Sequence, residues 1–248
     1  MPVRHPARGL FAALAGVSCL AAAGCAAGTA ATVASQGQPG SQGAWGTAGG
    51  KPAVASTVIP AQLGNTWVYA VDSTALGKGT ETSRISAVTA AAGGQRATLL
   101  TSLRLDGSKQ PFRFASHFIA GADGSVTFGS TSFMGAKLAS VNVSWPSPAA
   151  LTPGRPRTST VTGSFLGFKT SERLTITEVG PATVTVPAGT YQATLIEQTV
   201  TSRGGGREVI KSWVVNGIGQ VKTETNVTVK GERTAVSLVQ ELTSFTKG

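Results

Sequence analysis

Chemistry needs nucleophiles, proton carriers or clustered charge, and this chain is short of all three. It has two histidines, His5 and His117, and two cysteines, Cys19 and Cys25. A nucleophile–histidine–acid arrangement needs a histidine. Only His117 lies in the body of the chain, inside PFRFASHFI (111–119), which reads as a strand. One histidine builds no multi-histidine metal site, and two cysteines within the first 25 residues build no thiolate zinc or iron–sulfur site. The 11 acidic residues are spread about one per strand or turn. Two converging in a cleft could work on a glycosidic bond, but no spacing singles out a pair. Asp106 in LDGSK and Asp123 in GADG sit in hairpin turns rather than calcium loops. Arg203-Gly-Gly-Gly-Arg207 has the glycines of a phosphate cradle, yet no helix and no Lys-[Ser/Thr] follow it. The expectation is no catalytic residue, no metal and no cofactor: a protein that is not an enzyme.

The residue best placed for chemistry is Cys25. Arg4 and Arg8 precede an apolar stretch, Leu10 to Ala23, that ends Ala22-Ala23-Gly24-Cys25. About fourteen apolar residues are too few for a comfortable membrane span, which needs roughly twenty, and suit a secretory leader. The ending resembles the bacterial lipobox, with Ala22 where leucine is commonest. That resemblance implies a diacylglyceryl group on the Cys25 thiol and cleavage that leaves Cys25 first. The alternative is an ordinary signal cut after Ala21-Ala22-Ala23, and Cys19 fits the lipobox less well. Two acyl chains hold a protein stably where one does not. Loss of residues 1–24 removes Arg4 and Arg8 from the 21 basic residues and none of the 11 acidic ones, leaving a net charge of +8.

Residues 25–57 are rich in Gly, Ala, Ser and Thr, with Lys51 their only charge and Trp45 their only aromatic. They read as a flexible tether spanning about 30 Å on average. The whole chain of 248 residues carries a net charge of +10. Its basic residues stand singly, without the runs that mark nucleic-acid binding, so no nucleic acid is expected. A general attraction to an anionic envelope is.

From residue 58 the pattern is strands. Short runs with period-two alternation recur every 8–14 residues, punctuated by turn residues. In ERLTITEV (172–179), Leu174, Ile176 and Glu178 share one face. The reading is all-β: an antiparallel meander of about a dozen strands over 58–248, forming a curved half-barrel, a barrel or two packed sheets. ERLTITEV and ATVTV (182–186) are counted as separate strands, and the last run, TAVSLVQELTSF, as strand or helix. Between ATVTV and TYQATLIEQTV, Pro187 suits a turn's first corner and Gly189 its positive φ. That pair is a structural turn.

Three segments stand out together: Leu63-Gly64-Asn65-Thr66-Trp67-Val68-Tyr69, Pro187-Ala188-Gly189-Thr190-Tyr191, and Trp213 through Lys222 with its Gly217-Ile218-Gly219. The set resembles an uncharacterised family of bacterial exported and lipoprotein β-domains. The third segment departs from that pattern, with Val214 for an aromatic and Asn216 for a proline. The family's general shape is similar to the curved sheets of LolA- and LppX-type lipoprotein carriers, which implies an apolar ligand held on a concave face. Phe112, Phe114 and Phe118 share strand parity and are the ligand-lining candidates. The functional expectation is a lipoprotein anchored by its diacylglyceryl group on the extracytoplasmic face of the cell membrane, binding a lipid or other apolar ligand. The alternative is a structural lipoprotein docking to an envelope protein partner.

Overall fold

A computed structural model describes residues 59–133, 136–147, 150–165, 168–202, 205–228 and 236–248. Only the backbone is described at 133, 136–142, 165, 168 and 170. The leader, Cys19, Cys25 and the tether lie outside the described residues.

The chain is all-β, as read. Twelve strands follow one another: β1 (Thr66–Ser73), β2 (Gly77–Ala91), β3 (Gly94–Leu105), β4 (Phe112–Gly121), β5 (Val126–Phe133), β6 (Ala136–Trp145), β7 (Arg157–Phe165), β8 (Phe168–Val186), β9 (Gly189–Ser202), β10 (Arg207–Val215), β11 (Gly219–Thr228) and β12 (Val236–Thr246). Each pairs antiparallel with the next, and β1 pairs with β12 to close the barrel. Of the three architectures the strand pattern allowed, the barrel forms. The last run is strand β12, because its backbone groups complete the ladder to both β1 and β11.

One reading is corrected. ERLTITEV and ATVTV are a single strand, β8, that runs straight through Gly180-Pro181. Gly180 takes φ +135° and makes a bulge between Glu178 and Gly180. Proline is tolerated in sheets at such irregularities. The pair that signals a turn in sequence therefore only bends a strand.

Alternation sorts the side chains. Trp67, Ile85, Leu99, Phe118, Leu174, Ile196 and Leu242 fill the interior. A smaller cluster of Val71, Leu103 and Leu238 sits apart, with Leu105 and Phe114 packed on it. Arg84, Arg96, Arg104, Arg113, Arg173 and Lys211 stand exposed on their strands. An outer face bearing those charges is unlike the apolar belt of a membrane-spanning barrel.

The two ends of the barrel differ. The N-terminal segment, the last residues and the β2–β3, β4–β5, β6–β7, β8–β9 and β10–β11 connections share one end. There the Trp67 indole donates to the Ile218 carbonyl at 2.6 Å, and the Tyr69 hydroxyl donates to the Gln220 carbonyl at 2.9 Å. The β8–β9 turn folds across the interior, so that the Ala188 amide donates to Leu242 of β12 at 2.9 Å. Gly189, at φ +139°, lets the chain leave that turn. Asn65, 1% exposed, ties the chain ends together, accepting from the Gly248 amide at 3.0 Å and donating to the Pro60 carbonyl at 3.0 Å. The first and third sequence segments singled out above thus meet in a plug at this end, and the second folds in against Leu242 of β12. Replacing Trp67 with Phe keeps most of the ring and strands the Ile218 carbonyl. Urea unfolding should register a loss of about 1–3 kcal/mol, the cost of an unsatisfied buried polar group.

Candidate functional site

The interior is not uniformly apolar. Ser83, Ser116, Thr131, Gln198, Ser212, Thr223, Thr225 and Gln240 are buried within it. Among the residues whose side chains are described, every Lys, Arg and His is exposed except Lys222. Lys222 sits on the outer face, with Glu224 and Glu241 each at 3.1 Å and its ammonium 5.5 Å from the Trp213 ring centre. Four glutamates, in contrast, take inward positions: Glu81, Glu172, Glu178 and Glu208. The exterior is basic and the lining acidic.

Glu81 lies beneath the plug. Its carboxylate accepts from Ser83 Oγ at 3.1 Å and from Gln240 Nε2 at 2.8 Å. It lines a cavity of about 30 Å³ with Trp67, Tyr69, Gln220, Thr223 and Gln240. That volume holds a water molecule and not an acyl chain. Burial pushes the Glu81 carboxyl up to about 7, against the hydrogen bonds from Ser83 and Gln240 that favour its charged form. Burial, and then the charge of Glu81, drive the Tyr69 hydroxyl strongly upward, so it stays a neutral donor.

An acidic pair lies towards the other end. Burial, and then the charge of Glu172, raise Glu208 to about 7, and burial raises Glu172. Glu178, 7% exposed, is also raised by burial. Glu172 lines an open polar depression of about 560 Å³. Parity placed Glu178 with Leu174 and Ile176 in the sequence, and the same signal, inward strand parity, could have found Glu81, Glu172 and Glu208.

The three phenylalanines share the inward face but not one environment. Phe118 is 1% exposed and packs on Phe128 with ring centres 5.5 Å apart. Phe114 rests on the small Val71–Leu103–Leu238 cluster. Phe112, 40% exposed, starts β4 at the end away from the plug. None of them lines the Glu81 cavity. His117 is exposed and shares a 3.1 Å hydrogen bond with the Thr98 hydroxyl on the outer face. Asp123 accepts from the Ser125 amide at 2.9 Å and from its hydroxyl at 2.6 Å, which lowers its pKa and makes a turn. Among the described residues, no three His, Cys, Asp or Glu side chains group to hold a metal ion.

No family model matches the chain, and no curated protein matches it in sequence. In fold it is similar to a candidate exported protein with a YmcC-like fold from Bacteroides fragilis. The two share 14% identity and a TM-score of 0.50 over 77% of this chain and 100% of that one. It is also similar to a candidate lipoprotein from Parabacteroides distasonis, at 12% identity and a TM-score of 0.51 over 77% and 99%. The hypothetical lipoprotein YmcC of Escherichia coli aligns at 14% identity and a TM-score of 0.41 over 76% and 89%. At such identities the likeness is one of fold.

Glu81 gives the barrel a pH dependence. Its pKa rises from 4.5 to about 7 on folding, so the folded chain holds a proton in that window that the unfolded chain has lost. Its contribution to stability is greatest below about 4.5 and falls as pH climbs towards 7, by about 3 kcal/mol at most. Glu81→Gln, which keeps an acceptor for Gln240, should raise the unfolding temperature at pH 8 and flatten its decline between pH 5 and 8. An unchanged pH profile would overturn the assignment.

Proposed function

We propose that this is a non-enzymatic lipoprotein of the bacterial cell envelope, anchored through Cys25 on the extracytoplasmic face and working by binding. The observation that carries the reading is where the tether would join. Ile59 packs into the interior beside Trp67 and Tyr69, at the plugged end. An anchor on the preceding chain leaves the other end facing away from the membrane. The names borne by the two proteins of similar fold, one exported and one a lipoprotein, support the same placement.

The ligand we favour is lipid or another apolar envelope molecule, taken at that distal end. Exposed Phe112, with Phe114 and the Val71–Leu103–Leu238 cluster close by in the sheet, supports this. The site is the rim rather than the small cavity beneath the plug.

A second reading, docking to an envelope protein, is favoured by one gap in the barrel. β6 and β7 pair only through Ala139–Asn142 and Thr162–Phe165. Val143–Trp145 and Arg157–Val161 therefore face each other with no ladder between them among the described residues, which leaves two strand edges that a partner's extended segment could join.

Protein extracted from its own membrane should give a denatured mass that starts at Cys25 and includes a diacylglyceryl adduct. Cys25→Ala should lose that adduct and the membrane retention with it; an unmodified, soluble mature chain would sink the anchor. Phe112→Ala should lower the co-purified lipid seen by native mass spectrometry. Its unfolding temperature should barely move, since surface substitutions usually change stability by less than about 0.5 kcal/mol.

A further inference from the structure

The cavity beneath the plug gathers oxygen atoms and no positive charge. Its polar lining is Tyr69 of β1, Glu81 and Ser83 of β2, Gln220 and Thr223 of β11 and Gln240 of β12. No Lys, Arg or His lines it, and Glu81 and Tyr69 are its only titratable groups. Lys222, nearby in the sequence, is on the outer face, held by Glu224 and Glu241 at 3.1 Å each. Donors around the cavity are already engaged. Ser83 Oγ and Gln240 Nε2 each donate to a different oxygen of Glu81. The Tyr69 hydroxyl donates to the Gln220 carbonyl at 2.9 Å, and Gln220 Nε2 donates to Ser212 Oγ at 3.0 Å. A carboxylate has about four lone-pair sites, so each Glu81 oxygen can take a further partner. The hydroxyl oxygens of Tyr69 and Thr223 offer lone pairs beside it. A buried charge is paired or coordinates a metal, and no side chain lining this cavity brings the positive charge that Glu81 lacks.

We propose that this cavity binds a bare monovalent metal cation of sodium size. Glu81 supplies the charge, and the oxygens of Tyr69, Thr223 and the two glutamine amides complete an all-oxygen set, the ligand type that hard cations take. The volume of about 30 Å³ admits one particle the size of a water molecule. That leaves no room for the water shell that magnesium keeps, and a single carboxylate does not neutralise a divalent ion. Proton and cation compete for the same carboxylate, because a ligand must be deprotonated to bind metal. Burial raises Glu81 to about 7, so the proton holds the site in mild acid and the cation holds it at higher pH. A cation there ties β1, β2, β11 and β12 together under the plug and stabilises the closed barrel. The site is separate from the apolar rim around Phe112 and does not depend on the anchor.

The test is thermal unfolding of the full chain at pH 8 in sodium chloride and in choline chloride at equal ionic strength. Choline carries the same charge and is too large for the cavity. Sodium should raise the unfolding temperature, in a saturable way, above its value in choline. The difference should shrink at pH 5, where Glu81 holds its proton. Glu81→Gln should remove the difference. Thr223→Val deletes one oxygen and keeps the shape of the side chain, so it should raise the sodium concentration needed by at least about tenfold. Equal unfolding temperatures in the two salts at pH 8 would overturn the proposal and leave the cavity to water alone. So would a sodium response as large at pH 5 as at pH 8, or a Glu81→Gln chain that keeps it. If Glu81→Gln does not fold, an unchanged sodium response in Thr223→Val overturns the proposal in its place.

Discussion

The pairing of the first strand with the last is the contact on which the rest of the barrel depends. β1 and β12 join through a register that runs from Thr66 opposite Thr246 to Ser73 opposite Leu238. Every other ladder joins neighbours in sequence, at small loop-closure cost. This one joins the two ends of the domain and removes the two sheet edges that would otherwise invite association. It also brings Asn65 onto the Gly248 amide and sets Trp67 and Tyr69 where their side chains reach the backbone at Ile218 and Gln220. Without closure there is no interior to plug.

Closure creates the second feature, an inside that must be filled. Aliphatic and aromatic side chains fill most of it, and hydroxyls, amides and four glutamates take the remainder. Burying carboxylates with no basic partner costs stability, and the upward shifts of Glu81 and Glu208 to about 7 express that cost. Glu81 is supported by Ser83 and Gln240. One oxygen of Glu208 has no such support, and departures of this kind gather at working sites more often than in packed cores. The described basic side chains stand outside the barrel and the four glutamates inside it, so the sheet separates charge of opposite sign.

Much of this was legible beforehand. Period-two alternation marked the strands, and the shared face of Leu174, Ile176 and Glu178 is the buried face of β8. The Pro187–Gly189 corner is a turn, as its residues require. Other features were hidden for identifiable reasons. Gly180-Pro181 carries a turn signal yet sits in mid-strand, because a bulge and a turn ask for the same residues. The final run was ambiguous because its identity depends on partners at both edges. The three phenylalanines looked like one lining, but same-face residues along a strand lie at different depths, from buried Phe118 to exposed Phe112.

By itself, the order of residues determined the local matters: strand or turn, which face is apolar, where a leader-like segment ends at Cys25, and the lack of histidine or thiolate clusters. These follow from backbone preference and spacing within a few residues. Tertiary structure alone decided that the sheet closes rather than curving as a half-barrel, that the β8–β9 turn crosses to Leu242, and that Glu172 and Glu208 come close enough for one to shift the other. Those outcomes depend on which distant backbone groups and charges meet, and such meetings are fixed by register and closure around the whole barrel rather than by neighbours in the chain.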